Sequence, residues 1–147
     1  MIEIYAFKTT DLLVSKAIEL LRETLPTPGN LMLSGGSTPY AIYNQIASSP
    51  CPVHPDRKLF LSDERMVTAD SPRNNAGNLM PMLHALECED RFIRVETSLP
   101  IEEAAIRFAR DLVPLNSIDL GLLGMGTDGH IAGLFTPDQA NLKTGTL

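Results

Sequence analysis

Apolar runs and amphipathic segments alternate along this chain. Short apolar runs predict strands, and apolar residues that recur every three or four positions predict helices. The predicted strands cover residues 2–7, 31–34, 58–62, 92–95 and 118–123. The predicted helices cover residues 11–25, 40–47, 75–86 and 101–112, and prolines and glycines separate many of these elements. The alternation predicts an α/β fold in which helices cover both faces of a parallel sheet.

A glycine turn follows the strand at residues 31–34. It consists of Gly35 and Gly36, and Ser37, Thr38 and Pro39 come directly after it. Ser37 or Thr38 can cap the next helix, and proline suits a first helical turn. Free N–H groups at a helix N-terminus bind anions, so the turn predicts a phosphate site. The same residues also commonly begin a helix without binding anything, and the turn matches neither a Walker loop nor a dinucleotide fingerprint.

Charged residues follow the strand at residues 58–62, at the edge where open α/β sheets bind ligands. Asp63, Glu64 and Arg65 stand there. A guanidinium matches phosphate geometry, which makes Arg65 a candidate phosphate ligand. The alternative is a surface turn in which Arg65 pairs with a neighbouring carboxylate. Arg73 is a second candidate cation, and Asn75 either contacts substrate or caps the next helix.

A glycine-rich loop follows the last predicted strand and carries the most distinctive chemistry. It presents Asp128 and His130 among Gly124, Gly126 and Gly129. Histidine moves protons near neutral pH, so His130 is the candidate general base. Asp128 either orients His130 or forms an Asx turn in the loop. The glycines supply backbone freedom, and their N–H groups can stabilise an oxyanion.

Taken in order, these motifs resemble those of the 6-phosphogluconolactonases, which form one family with the glucosamine-6-phosphate isomerases/deaminases. The resemblance runs from about residue 2 to residue 137. It implies a Rossmann-like three-layer domain that hydrolyses 6-phospho-D-glucono-1,5-lactone to 6-phosphogluconate in the oxidative pentose phosphate pathway. It further implies that His130 activates the water and that no cofactor or metal takes part. The partner is then a small sugar phosphate, whose hydroxyls Asp63 can bind.

Two alternatives stay open because the motifs depart from the lactonase pattern. Arg65 and the pair Leu134 and Phe135 favour a lactonase, whereas Ile131 is typical of the deaminases and Gly133 replaces a usual serine. The second hypothesis is therefore a glucosamine-6-phosphate isomerase/deaminase. The third is a non-catalytic remnant that still binds sugar phosphates.

Members of this family continue well beyond the histidine loop. We therefore expect residues 1–147 to form a single sugar-phosphate-binding α/β domain that lacks the family's C-terminal elements, through either a fragment boundary or a real deletion. A sheet shortened in this way has an open edge. Homo-oligomerisation, a partner chain and misfolding are the three expected consequences.

Composition narrows the partners and the cellular compartment that we expect for this protein. The net charge of −6 disfavours nucleic acid and anionic membranes as partners, since both attract clustered Lys and Arg. The two cysteines, Cys51 and Cys88, have no metal-ligand pattern around them and are expected to be free thiols in a reducing compartment. The first residues resemble neither a signal peptide nor a membrane span, and we expect a cytoplasmic protein.

Overall fold

Four parallel strands form the centre of the computed structural model, which describes residues 3–141. The strand order is β3-β2-β1-β4. A 3-10 turn, Glu89–Arg91, precedes the third strand. The elements in chain order are α1 (Thr10–Thr24), β1 (Gly29–Leu33), α2 (Ser37–Ser48), β2 (Arg57–Leu61), α3 (Asn75–Ala85), β3 (Phe92–Ile93), α4 (Ile101–Leu112), β4 (Leu120–Gly121) and α5 (Pro137–Ala140).

The strand order reverses at β1. The chain passes from β1 to β2 and on to β3, and then returns so that β4 pairs with the other side of β1. Because crossovers between parallel strands are right-handed, α2 and α3 lie on one face and α4 lies on the other. The predicted parallel sheet with helices on both faces is confirmed.

The main core lies between the sheet and helices α1, α2 and α3. Leu31 and Leu33 of β1, and Leu59 and Leu61 of β2, belong to one buried cluster with apolar residues of these helices. Phe60, at the intervening position, is 5% exposed and lies outside that cluster, as expected for side chains that alternate between two faces. The leucine face therefore anchors β1 and β2, whose carboxyl ends carry two of the three polar motifs.

Side-chain caps explain where two helices begin. The Thr9 hydroxyl accepts a hydrogen bond from the Leu12 N–H at 3.3 Å and caps α1. The Asn74 side chain accepts from the Gly77 N–H at 2.6 Å and caps α3. The prediction that Asn75 caps this helix is therefore wrong, because the cap lies one residue earlier and Asn75 is the first helical residue.

The predicted strand at residues 2–7 is wrong over the part that the structure describes. Residues 3–7 form no strand, and Ile4 is 89% exposed. A strand needs a neighbour for its N–H and C=O groups, and none of the described strands pairs with this segment. The last strand, Leu120–Gly121, is likewise shorter than the predicted residues 118–123, although the N–H groups of Asp119 and Leu122 also donate to β1 carbonyls, at 2.9 Å and 2.8 Å.

Candidate active site

The carboxyl ends of β1, β2 and β4 open into one cleft of about 670 Å³. It lies where the strand order reverses, between β1 and β4, which is where open α/β sheets bind ligands. Three predicted site residues, Arg73, Asp128 and Gly129, lie outside its lining. The predicted residues that do line it come from all three motifs, namely Gly35, Gly36, Ser37, Thr38, Asp63, Glu64, Arg65, Asn75, Gly126 and His130.

Helix α2 begins at this cleft with its first amide groups uncovered. Gly36 precedes the helix at φ 120°, a conformation that favours glycine, and its C=O accepts from the Tyr40 N–H at 3.0 Å. In the part of the chain that the structure describes, no side chain caps α2 and no acidic residue lies in its first turn. The prediction that Ser37 or Thr38 caps this helix is wrong, because both lie inside the first turn. Their position leaves the positive end of the helix open towards the cleft.

The loop after β4 places Asp128 beside His130. One oxygen, Asp128 Oδ1, lies 2.5 Å from His130 Nδ1 and 3.3 Å from the His130 backbone nitrogen. The ring contact keeps the pKa of Asp128 below its ordinary 3.8, so this carboxylate is ionised at neutral pH. An ionised carboxylate only accepts hydrogen bonds. Nδ1 must therefore carry a proton, and in the neutral ring the lone pair is on Nε2.

Glycines allow this loop to fold tightly around the imidazole. A Cβ at Gly126 would lie 2.3 Å from His130 Cε1, so a larger residue there would displace the ring. The Gly126 N–H donates to the His130 C=O at 2.9 Å, and the Gly129 N–H donates to the Gly126 C=O at 3.0 Å. Phe135 also lies against the ring, with ring centroids 4.7 Å apart. The two glycine N–H groups are thus already engaged within the loop.

Glu64 is held by backbone amides. Its Oε1 accepts from the N–H groups of Arg65 and Asn75, each at 2.7 Å, and its Oε2 accepts from the Ala76 N–H at 2.8 Å. Asn75 and Ala76 begin α3, so the carboxylate occupies the anion-binding end of that helix. Glu64 therefore ties the residues that follow β2 to the start of α3.

The Asn75 side chain joins three parts of the cleft. It is 1% exposed. Its Nδ2 donates to the Asp63 C=O at 3.1 Å, and its Oδ1 accepts from the Tyr40 hydroxyl at 2.8 Å. The side chain also fills the space beside Gly35, where a Cβ would collide with Asn75 Oδ1. Asn75 thus connects the glycine turn, the residues after β2 and helix α2.

Arg65 reaches the cleft from an exposed position. Its Nη1 donates to the Arg73 C=O at 3.3 Å. Within residues 3–141 it forms no ion pair with Asp63 or Glu64, which was the alternative prediction for this residue. Asp63 accepts from the Ser62 hydroxyl at 2.8 Å. Arg73 therefore supports Arg65 through its backbone, and its own guanidinium does not line the cleft.

Sequence reasoning missed the two tyrosines of α2. The Tyr43 hydroxyl is buried and bonds both backbone groups of Ser34, donating to the C=O at 3.0 Å and accepting from the N–H at 3.2 Å. Burial raises the pKa of Tyr43 well above its usual range. Tyr40 and Tyr43 stand three residues apart, and this spacing puts both on one side of a helix. That spacing, directly after a glycine turn, was the available signal.

Other properties of the described residues bear on the chemistry. No group of three or more His, Cys, Asp or Glu side chains among residues 3–141 could hold a metal ion. None of the helices in that same range has the length and apolar character needed to cross a membrane. Cys51 and Cys88 are free, and burial raises the pKa of Cys88 to about 11.

Comparisons with known proteins show the family of the chain. The family model for glucosamine-6-phosphate isomerases/6-phosphogluconolactonase matches residues 6–146. A 6-phosphogluconolactonase of Thermotoga maritima is 38% identical over 125 residues, which cover 79% of this chain and 55% of the relative. One of Haemophilus influenzae is 31% identical over 146 residues, which cover 92% of this chain and 62% of the relative.

Solved structures of 6-phosphogluconolactonases also match this chain. The crystal structure of a Thermotoga maritima 6-phosphogluconolactonase matches with a TM-score of 0.72 and 30% identity, covering 96% of this chain and 66% of that one. A 6-phosphogluconolactonase from Shewanella baltica OS155 matches with a TM-score of 0.79 and 25% identity, covering 95% and 64%. The chain spans about half the length of the first curated relatives it matches. It belongs to the glucosamine-6-phosphate isomerase/6-phosphogluconolactonase family.

Proposed function

We propose that this cleft hydrolyses 6-phospho-D-glucono-1,5-lactone to 6-phosphogluconate, a step of the oxidative pentose phosphate pathway. The observation that carries the proposal is the pairing of two features in one cleft. Nε2 of His130 is available as a base because Asp128 engages Nδ1, and the uncovered start of α2 is available for an anion. The relatives named above are 6-phosphogluconolactonases. A general base and an anion site are the two groups that hydrolysis of a phosphorylated lactone would use.

The substrate phosphate is assigned to the start of α2. The backbone N–H groups of Ser37 and Thr38 and the positive end of the helix favour a dianion there. Arg65 lines the same cleft and can supply a charge-assisted hydrogen bond. Asp63 is the group we assign to a sugar hydroxyl, because it lines the same cleft and its Cβ lies 3.8 Å from where a Cβ on Gly133, in the histidine loop, would stand.

His130 is assigned as the general base. Its Nε2 takes a proton from water while the water oxygen attacks the lactone carbonyl carbon. The bond between that carbon and the ring oxygen then breaks, and the imidazolium returns the proton to the departing oxygen. The products are a hydroxyl and a carboxylic acid, which ionises at neutral pH. We assign Gly126 and Gly129 to the shape of the loop and not to oxyanion binding, because their N–H groups are already used.

The remaining expectations concern the compartment and the oligomeric state of the protein. Two free cysteines favour a reducing compartment, and we place the activity in the cytoplasm. Homo-oligomerisation is the second expectation. Light scattering on the purified protein measures that state directly.

A coupled assay tests the function. Lactone hydrolysis is followed through 6-phosphogluconate dehydrogenase after subtraction of spontaneous hydrolysis. The variant is His130→Ala, and the matched control is His84→Ala, which removes an exposed histidine bonded to Glu89. We expect activity in the wild type and the control and a loss of at least about a hundredfold in His130→Ala.

Other outcomes distinguish the competing functions. Release of ammonia from glucosamine 6-phosphate, without lactone hydrolysis, would identify a deaminase instead. A folded protein that is stabilised by 6-phosphogluconate but turns over neither substrate would be a sugar-phosphate-binding protein, since a ligand of the native state raises its thermal stability.

A further inference from the structure

We infer that Tyr40 is a positioning residue: its hydroxyl, through Asn75, holds the phosphate-binding start of α2 at a fixed distance from Asp63 and Arg65. This inference rests on the proposed function, because it concerns how the same cleft holds its phosphorylated substrate. Tyr40 belongs to none of the three motifs. The observation behind it is a pair of partly buried hydrogen bonds through the buried Asn75 side chain, which join three separate parts of the cleft.

Chemistry fixes the directions of the two hydrogen bonds that link Asp63, Asn75 and Tyr40. The Asp63 C=O can only accept, so the nitrogen of the Asn75 amide must face it, at 3.1 Å. The amide oxygen must then face Tyr40, and the Tyr40 hydroxyl must donate, at 2.8 Å. Because Asn75 is 1% exposed, water cannot take the place of either partner without a structural change.

These contacts also set the distance between the glycine turn and the backbone of Asp63. The Asn75 side chain lies against the backbone of Gly35, so closely that a Cβ there would stand 2.3 Å from Oδ1. Gly35 leads directly into the turn that starts α2. The Asn75 amide is thus a spacer between that turn and the backbone of Asp63. Its position decides how far the helix amides stand from the groups that follow β2.

Tyr40 keeps this spacer in place. It lies one turn into α2, and its ring packs near Tyr43, with centroids 6.4 Å apart and planes at 59°. Without the hydroxyl, the Asn75 oxygen would be a buried acceptor with no donor, which is costly. The amide would then rotate or shift to find a partner. Either movement changes the distance between the phosphate amides and Asp63.

The test is Tyr40→Phe, which removes the hydroxyl and keeps the ring. The matched control is Thr27→Val, which removes a hydroxyl that accepts from buried Arg57. Thr27 precedes β1, at the amino ends of the strands and away from the cleft. For each protein, the Kd of 6-phosphogluconate, the KM, the kcat and the thermal midpoint are measured. For Tyr40→Phe we expect the Kd and KM to rise about threefold to tenfold, with kcat within about twofold and an unchanged pH profile. Thr27→Val should lower the thermal midpoint and leave the Kd unchanged.

Each outcome decides the inference. A Tyr40→Phe protein with a lowered thermal midpoint but an unchanged Kd would reduce Tyr40 to a merely stabilising residue. If the wild type hydrolyses no lactone, the proposed function and this inference are both overturned, whereas unchanged Kd and KM for Tyr40→Phe beside an active wild type overturn this inference alone. A second measurement is the double variant with Gly35→Ala. Both changes act on the Asn75 amide, so their effects on the Kd should be non-additive, and simple additivity would contradict the inference.

Discussion

Replacing Glu64 by alanine should destabilise the protein strongly, although the residue stands in a motif that suggests substrate binding. The change removes an ionised acceptor from three backbone N–H groups at 2.7–2.8 Å. A hydrogen bond to a charged group contributes about 1.5–3 kcal/mol. The two bonds to the start of α3 are partly buried, whereas the bond to Arg65 is exposed and adds little. At the lower bound, Glu64→Ala should cost about 3 kcal/mol, or about 6–12 °C in thermal midpoint.

Chemical denaturation followed by circular dichroism measures this cost. The control is Asn74→Ala, which removes the ordinary side-chain cap of the same helix and should cost only about 1 kcal/mol. Glu64→Gln keeps one acceptor and should fall between the two. If Glu64→Ala costs no more than Asn74→Ala, the carboxylate does not anchor α3 and the argument is refuted. A direct substrate contact would then be the better account of this residue.

Two further predictions follow from local geometry. Gly126→Ala should lower kcat by at least about tenfold, because the added Cβ would stand 2.3 Å from the His130 ring. Gly124→Ala should leave kcat unchanged, since no atom lies within 4 Å of its Cβ. Equal rates in steady-state assays of the two variants would contradict this prediction. The free energy of unfolding should also fall as the pH rises from 9 to 11, because the pKa of Cys88 is raised from 9.0 to about 11 and only the unfolded thiol ionises in that window. Denaturation series at several pH values should show a shallower slope for Cys88→Ala, and an identical slope would count against it.

The helices and the location of the cleft were predictable from sequence because their signals are local. The helix predicted at residues 101–112 is observed as Ile101–Leu112, and α1 and α3 begin and end within about a residue of prediction. The three polar motifs each follow a predicted parallel strand. Since carboxyl ends of parallel strands share one edge, their meeting at one cleft follows from chain order alone.

Contacts between distant residues were not predictable in this way. The pattern at residues 2–7 indicates a strand but cannot supply the neighbour that a strand requires. Glu64 looks available for substrate until α3, 11 positions along the chain, places two amides on it. The Tyr40 and Asn75 side chains are 35 positions apart and meet only because α2 and α3 pack on the same face of the sheet. The sequence therefore predicts which residues reach the cleft, and packing decides which of them remain free to act.

The strand pairing of β4 divides the cleft into halves of unequal local stability. The glycine turn and the residues after β2 rest on two strands paired over five residues, Gly29–Leu33 with Arg57–Leu61. The loop that carries His130, in contrast, follows β4, which has only Leu120 and Gly121 in register with β1 and two flanking backbone bonds, from the N–H groups of Asp119 and Leu122. Segments with shorter strand pairing open more readily, so amide hydrogen exchange should be faster on the histidine side. A sugar phosphate that spans the cleft would then couple a labile segment to a firm one, and part of its binding free energy would be used to order the catalytic loop.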